Sequence, residues 1–183
     1  MKKVISVICV FILVFFVLFF YFTRFSYSAM LNKNDFSARD VIASEGYSID
    51  SNHLTKVLLC VDSNKLGIIG AANYGFGIWK ETNFGSIIKN PGSGQFATST
   101  MIIPKNPGIN GYTEKHIFIA GFVDFPNKPR IKGNSDFYLN IDYYPIDNKV
   151  LLFAHAIGGR DMVNFGSSQI LQYITEQINV NKE

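Results

Sequence analysis

Two cysteines in 183 residues cannot build a disulfide framework. Cys9 lies inside a long oily run and Cys60 inside an apolar strand, so the two cannot bridge within one molecule. Cys9 stands near the start of its run, whereas a lipid-bearing cysteine would come just after it, which excludes a lipoprotein pattern. Cys60 reads as a small buried apolar residue with an unreactive thiol. Metal motifs are equally scarce: the chain has no H-x-H, H-E-x-x-H or C-x-x-C, and no metal is expected. It also has no internal repeat and no low-complexity tract.

Charge is missing from Val4 to Phe22. As a helix rising about 1.5 Å per residue, this run covers about 28 Å, close to the hydrocarbon thickness of a bilayer. Its β-branched and aromatic side chains suit a helix that faces acyl chains, where every backbone amide must bond within the segment. Tyr21 and Phe22 fall at the interface. Lys2 and Lys3 precede the run and Arg24 comes after it, which favours a cytoplasmic N-terminus and an exported body. A cleaved secretory signal is the rival reading, with Ser26 and Ser28 ahead of Ala29 as a weak cleavage site. The length of the apolar run favours a retained anchor at the cell membrane. No G-x-x-x-G in it offers a helix-dimerisation face.

Those three basic residues also account for the net charge. Without them the 17 basic side chains fall to 14, equal to the 14 acidic ones, so the exported part is neutral. A neutral body lacks the basic surface that replaces counterions around phosphates, and no nucleic-acid partner is expected.

Residues 1–24 therefore read as a transmembrane anchor, 25–34 as a short linker and 35–183 as an extracytoplasmic β-rich domain. In "NDFSARDVIASEG", Asn34 or Asp35 can cap a helix and Gly46 can stop it, which predicts two to three turns. After Tyr47 the period changes to two. "LTKVLLCV", "DSNK" and "LGIIGAANYGFGIWK" form one hairpin pattern; "YLNIDYY", "PIDNK" and "VLLFAHAI" form another. Phe137, Leu139, Ile141 and Tyr143 share one face of the latter's first strand, and Tyr138, Asn140, Asp142 and Tyr144 the other. "HIFIAGFVDF" is apolar on both faces and reads as a central strand, with further strands at "QFATSTMIIP" and near "RDMVNF". The predicted fold is mainly β: an antiparallel sandwich or partly closed barrel of six to eight strands, with one transmembrane helix and one short helix before the sheet. "SSQILQYITEQINV" has Ile170, Ile174 and Ile178 at helical spacing, yet its Ile and Tyr content favours a final strand.

The glycines of "GIIGAANYGFGIWK" raise the question of a phosphate loop. Such a loop needs a helix directly after the glycines, and "KETNFGS" is no helix start. No nucleotide cofactor is expected, nor any other. At period two, Tyr74, Phe76 and Ile78 fall on one strand face and Gly75 and Gly77 on the other, a bare face that a ring or backbone can approach.

Catalytic candidates are few. His116 shares a strand face with Phe118 and Phe122, and His155 one with Leu151, Phe153 and Ile157, while His53 lies in a polar loop. The two strand histidines could meet across neighbouring strands, but core-facing, hydrogen-bonded imidazoles are the plainer reading. The "GSS" and "GSG" serines lack the strand–turn–helix setting of a nucleophile elbow. Asp124, Asp142 and Asp147 read as turn-formers. "GGRD" sets Arg160 and Asp161 at a loop tip beside His155, where an anion could bind or a local ion pair could form. Exposed-looking aromatics, Tyr74 and Trp79 among them, suit recognition of a protein or glycan.

"KVLLCVDSNKLGIIGAANYGFGIWK", "HIFIAGFVDFPNKPRIKG" and "NKVLLFAHAIGG" together resemble small secreted or membrane-anchored proteins of Gram-positive bacteria. The likeness spans Lys56 to Phe165 and implies one anchor and an extracytoplasmic β-rich body, with no catalytic residue to carry over. The expectation is thus a non-enzymatic, single-pass protein that contacts the lipid bilayer through residues 4–22. Tyr74, Trp79, Arg160 and Asp161 would form its contact surface for an envelope protein or glycan. An exported hydrolase using His116 or His155 with a nearby carboxylate is the alternative.

Overall fold

The computed structural model describes residues 2–50, 53–104, 113–123, 131, 137–158 and 166–180. Helix α1 (Lys2–Phe25) is the oily run, and among the described residues none of its apolar window, Ser6–Phe25, is buried. It is long and apolar enough to cross a membrane. Ser26 then breaks the helix and caps the next one, its hydroxyl accepting from the Ala29 amide at 3.1 Å. Within the stretch assigned to a linker, Tyr27–Asn32 form α2, which buries Met30 and Leu31.

Eight strands come next: β1 (Val41–Asp50), β2 (His53–Asp62), β3 (Lys65–Asn73), β4 (Trp79–Lys89), β5 (Phe96–Pro104), β6 (Thr113–Val123), β7 (Tyr138–Ile146) and β8 (Lys149–Gly158). They form two four-stranded antiparallel sheets, ordered β1-β2-β3-β4 and β5-β6-β8-β7. The sheets stack as a sandwich and do not close into a barrel. β6 is indeed central, pairing with β5 and β8. The expected strand near "RDMVNF" lies outside the described residues.

Alternation sorts each strand between two apolar layers, because successive side chains point to opposite faces. Val57, Leu59, Leu66 and Ile68 face inward and meet Ala97, Met101, Phe118, Ala120, Leu151 and Phe153 between the sheets. Leu58, Cys60, Ile69 and Ala71 face outward, where α2 and Phe36 cover them. Burial pushes the Cys60 thiol up to about 12. Gly67, on that outer face, leaves the space for Phe36: an added Cβ would come within 3.0 Å of the ring. The glycine-rich stretch therefore does hold a glycine bared for an aromatic ring, but at Gly67.

Three expectations need correction. "NDFSARDVIASEG" forms no helix of two to three turns; a single 3-10 turn, Ala38–Asp40, leads into β1. The cap stands at Ser37 and not at Asn34 or Asp35: the Ser37 amide donates to Asp40 Oδ2 at 2.6 Å, and the β-branched Val41 and Ile42 then begin a strand that sheet pairing holds. Tyr74 to Ile78 are not strand either. Asn73 Oδ1 accepts from the Gly75 amide at 2.8 Å and ends β3, and Gly75, Phe76 and Gly77 all adopt positive φ in a turn. Residues Ser167–Val180 are a helix, α3, not a strand. Its Ile170, Ile174 and Ile178 pack against Ile117, Ile119, Leu152, Ala154 and Ala156 on the outer face of the second sheet. This packing of three isoleucines at helical spacing overrides the β preference of Ile and Tyr.

Candidate functional site

His116 on β6 and His155 on β8 meet. Phe118 pairs with His155 and His116 with Ile157, so the two imidazoles are diagonal neighbours on the face that looks into the sandwich. Their rings lie 5.1 Å apart and nearly parallel, and His116 Nδ1 is 2.9 Å from His155 Nε2. Both residues are buried, at 3% and 6% exposure. His155 also stacks on Phe118 at 4.4 Å.

β1, from the opposite sheet, supplies the polar partners. Glu45 and Tyr47 are two residues apart and so share a strand face. Glu45 Oε2 lies 2.9 Å from His155 Nδ1 and accepts a very short hydrogen bond from the Tyr47 hydroxyl. The Tyr47 ring packs edge-on to His116 at 4.9 Å. Burial alone would raise the Glu45 carboxyl, but the bonds from His155 and Tyr47 outweigh it and hold it below the ordinary carboxylate range. Burial, then the bond and charge of Glu45, push the Tyr47 phenol well above its usual value.

An ionised Glu45 accepts only, so His155 carries a proton on Nδ1, and when both imidazoles are neutral its Nε2 is the acceptor. His116 must then donate from Nδ1, which leaves Nε2 as the bare lone pair at the inner end of the chain. Burial, and next the neighbouring His155, lower His116 to about 4, so its own imidazole is neutral at physiological pH. His116 Nε2 has no hydrogen-bond partner among the described residues; Glu114 Oε2 is 3.7 Å away. Glu45–His155–His116 is thus a carboxylate-oriented imidazole relay whose basic end is buried beside the partly exposed Glu114 carboxylate.

Its outer end is more open. Glu45 is only partly buried, and β7 beside it is covered between the sheets only at Tyr144 and Ile146. Tyr138, Asn140 and Asp142 stay exposed, with Asn140 paired to His155. Protons can reach the relay from this side through Glu45.

The residues singled out for contact do not gather here. Tyr74 is half exposed at the β3–β4 turn, with the Lys80 ammonium 5.2 Å from its ring. Trp79 packs edge-on to Tyr27 at 5.2 Å under the Lys56 ammonium, as part of the outer apolar layer. Arg160 and Asp161 lie outside the described residues. Glu45 and Tyr47 escape a sequence reading because their segment carries helix-cap signals; a period-two reading through Ala43, Glu45 and Tyr47 would put them on one strand face. No group of three or more His, Cys, Asp or Glu among the described residues is arranged to hold a metal ion.

A separate cleft of about 700 Å³ opens where the β2–β3 and β7–β8 turns meet the segment after β4. Asp62, Asn64, Asn90, Asp147 and Asn148 line it, and Phe122 forms part of its wall under the Lys149 ammonium. No protein-family model, curated protein or solved structure matches the chain.

Proposed function

We propose that the chain is a single-pass membrane protein, anchored by α1 with its N-terminus in the cytoplasm. Its β-sandwich is held on the extracytoplasmic side as a non-catalytic binding or envelope-associated module. The observation that carries this reading is the bare apolar surface of α1: Phe11, Leu13, Phe15, Phe16 and Phe22 are all more than 60% exposed, and only lipid suits such a surface. Retention of the anchor, as opposed to cleavage between Ser28 and Ala29, is supported by α2. That bond lies inside α2, where Ser26 caps the helix and Met30 and Leu31 are buried. Lys2 and Lys3 against Arg24 support the orientation. The non-catalytic part is supported by the burial of the relay: His116 and His155 are 3% and 6% exposed, and His116 Nε2 is screened from solvent. A tag fused after Glu183, probed with protease on intact and on permeabilised cells, tests the topology. Cleavage only after permeabilisation would reverse it, and N-terminal sequencing of the mature chain would expose a processed anchor.

The relay itself favours a second reading, an exported hydrolase in which Glu45 orients His155 and His155 orients His116 as general base. It requires an opening that brings a nucleophile to Nε2. Turnover of model esters or amides by the purified full chain, abolished by His116→Gln and by Glu45→Gln, would favour it over the first.

A further inference from the structure

The β3–β4 turn joins the two parts of the molecule. Tyr21, in the last apolar turns of α1, donates its hydroxyl to the Phe76 carbonyl at 2.6 Å. Side chains on a helix lean toward its N-terminus, so this hydroxyl lies no farther out along the axis than Tyr21 itself. Four more residues of the apolar window Ser6–Phe25 come after Tyr21. The tip of the turn is therefore level with the end of the apolar span.

At that tip stands Phe76, 98% exposed and touching no apolar layer of the sandwich, with Tyr74 beside it at 49%. Phe76 has φ 51, a left-handed backbone that a bulky residue adopts at a cost and that Gly or Asn would adopt freely. Packing within the chain does not explain a strained, fully bared phenylalanine. Four hydrogen bonds hold the turn's backbone. The Tyr74 amide donates to Ile78 O at 3.0 Å and the Ile78 amide to Gly75 O at 2.9 Å. Asn73 and Tyr21 bond the Gly75 amide and the Phe76 carbonyl. Paired backbone groups are what a segment needs where water is scarce.

Of the other exposed large apolar side chains of the sandwich, Ile87 lies toward the opposite end of the first sheet, beside Gly67, and three lie toward this one. Leu54, Ile102 and Tyr138 also stand near this end, by their places on β2, β5 and β7. Lys80, over Tyr74, and Arg24, over Phe20, carry positive charge on either side of the turn. Cations flanking aromatic rings match the headgroup layer of a bilayer.

We infer that the Tyr74–Ile78 turn is a second membrane contact, with Phe76 and Tyr74 inserted at the boundary between lipid headgroups and acyl chains of the bilayer that α1 spans. This rests on α1 being a retained span. The turn then fixes the sandwich against the membrane surface at two points, α1 and Phe76, so that the Asp62–Lys65 and Ile146–Lys149 turns and the cleft between them face away from the lipid.

The test uses the wild-type full chain in vesicles of phosphatidylcholine and phosphatidylglycerol. The vesicles are doped with a phosphatidylcholine whose photoreactive diazirine sits either next to the ester carbonyl or at the acyl-chain end. After irradiation, lipid adducts are mapped by peptide mass spectrometry. The expected result is adducts on Tyr74–Ile78 with the shallow probe and far fewer with the deep one, adducts on α1 with both, and none on Asp62–Lys65. Adducts on α1 without any on Tyr74–Ile78 would overturn the proposal and leave the anchor standing. Adducts on neither would sink the spanning reading and this contact with it.

Discussion

His116 Nδ1 and His155 Nε2 share one proton across 2.9 Å in a core from which both residues are almost wholly screened. Such a pair has room for a hydrogen bond in its neutral form and none for two positive charges. The groups that face His116 are His155 from β8, Tyr47 and Glu45 from β1, and Glu114 two residues back on its own strand. Acidity should therefore act on this protein through its centre.

The sign of the effect is set by His116. Its imidazole is lowered from 6.5 to about 4 in the fold, so between those values the unfolded chain binds the proton first. Stability is complete above the unfolded value and is lost as pH falls through this window. The lowered Glu45 carboxyl adds loss of the same sign below its own unfolded value. Urea midpoints measured from about pH 7.5 down to about pH 4.5 should fall steadily in the wild type. His116→Phe, which keeps a ring on Phe118 but cannot titrate, should flatten the slope. Equal slopes would mean that other groups carry the acid response.

Glu45→Gln keeps the shape of the side chain and removes the charge that fixes the relay's tautomers. The amide oxygen can still accept from His155 Nδ1, but the charge-assisted part of the bond is gone, a loss of about 1 kcal/mol for a partly exposed group. By NMR, the His155 Nδ1 proton should move upfield from the position it has when shared with a carboxylate. An unchanged spectrum would contradict a proton held on Nδ1 by Glu45.

Gly121 and Gly67 separate two kinds of close contact. A Cβ at Gly121 would lie 2.6 Å from the Gln95 carbonyl oxygen and 2.7 Å from Phe96 Cε1, and the backbone oxygen has nowhere to go. Gly121→Ala should cost about 2 kcal/mol or more. At Gly67 the obstacle is the Phe36 ring at 3.0 Å, which can tilt, so Gly67→Ala should cost about 1 kcal/mol or less. Denaturant unfolding of the two variants in parallel checks the order.

The two-sheet architecture is legible because alternation along β2, β3, β6 and β8 is strong, and the apolar span because nineteen uncharged residues in a row admit little else. β1 is not, since Ser37 and Asp40 write a genuine capping box just before it and only pairing with β2 makes a strand of Val41–Asp50. That one ambiguity hides half of the cluster: with Glu45 in a helix that stops at Gly46, it and Tyr47 share no strand face toward His155. α3 is obscured for the opposite reason. Its isoleucines fit either structure, and the choice is made by packing on the outer face of the second sheet, against residues of other elements. The turn at Tyr74–Ile78 is lost to the same ambiguity, because an alternation of glycine and aromatic residues looks like a strand until Asn73 caps its own backbone.

Trp79 tests whether an aromatic chosen as a contact residue belongs to the core. It stands against Tyr27 and the Lys56 stem within the layer that fastens α2 to the first sheet. Trp79→Ala should cost about 3 kcal/mol and loosen α2, seen as faster amide exchange at Met30 and Leu31. Loss of a partner's binding with unchanged stability would instead place Trp79 on a recognition surface.

Phe76 should behave in the opposite way. Its side chain adds nothing to the sandwich, and its positive φ costs about 1 kcal/mol relative to a residue at home there. Phe76→Asn should therefore leave the thermal midpoint of the detergent-solubilised chain unchanged or raise it slightly, since asparagine accepts the left-handed backbone and Tyr21 still finds the same carbonyl. In vesicles the same variant should expose the turn. Proteolysis after Tyr74 should become faster than in the wild type, because the tip no longer has an apolar side chain to hold it in the headgroup layer. A clear drop in the midpoint in detergent would show instead that Phe76 is a structural residue, kept at positive φ by packing within the chain.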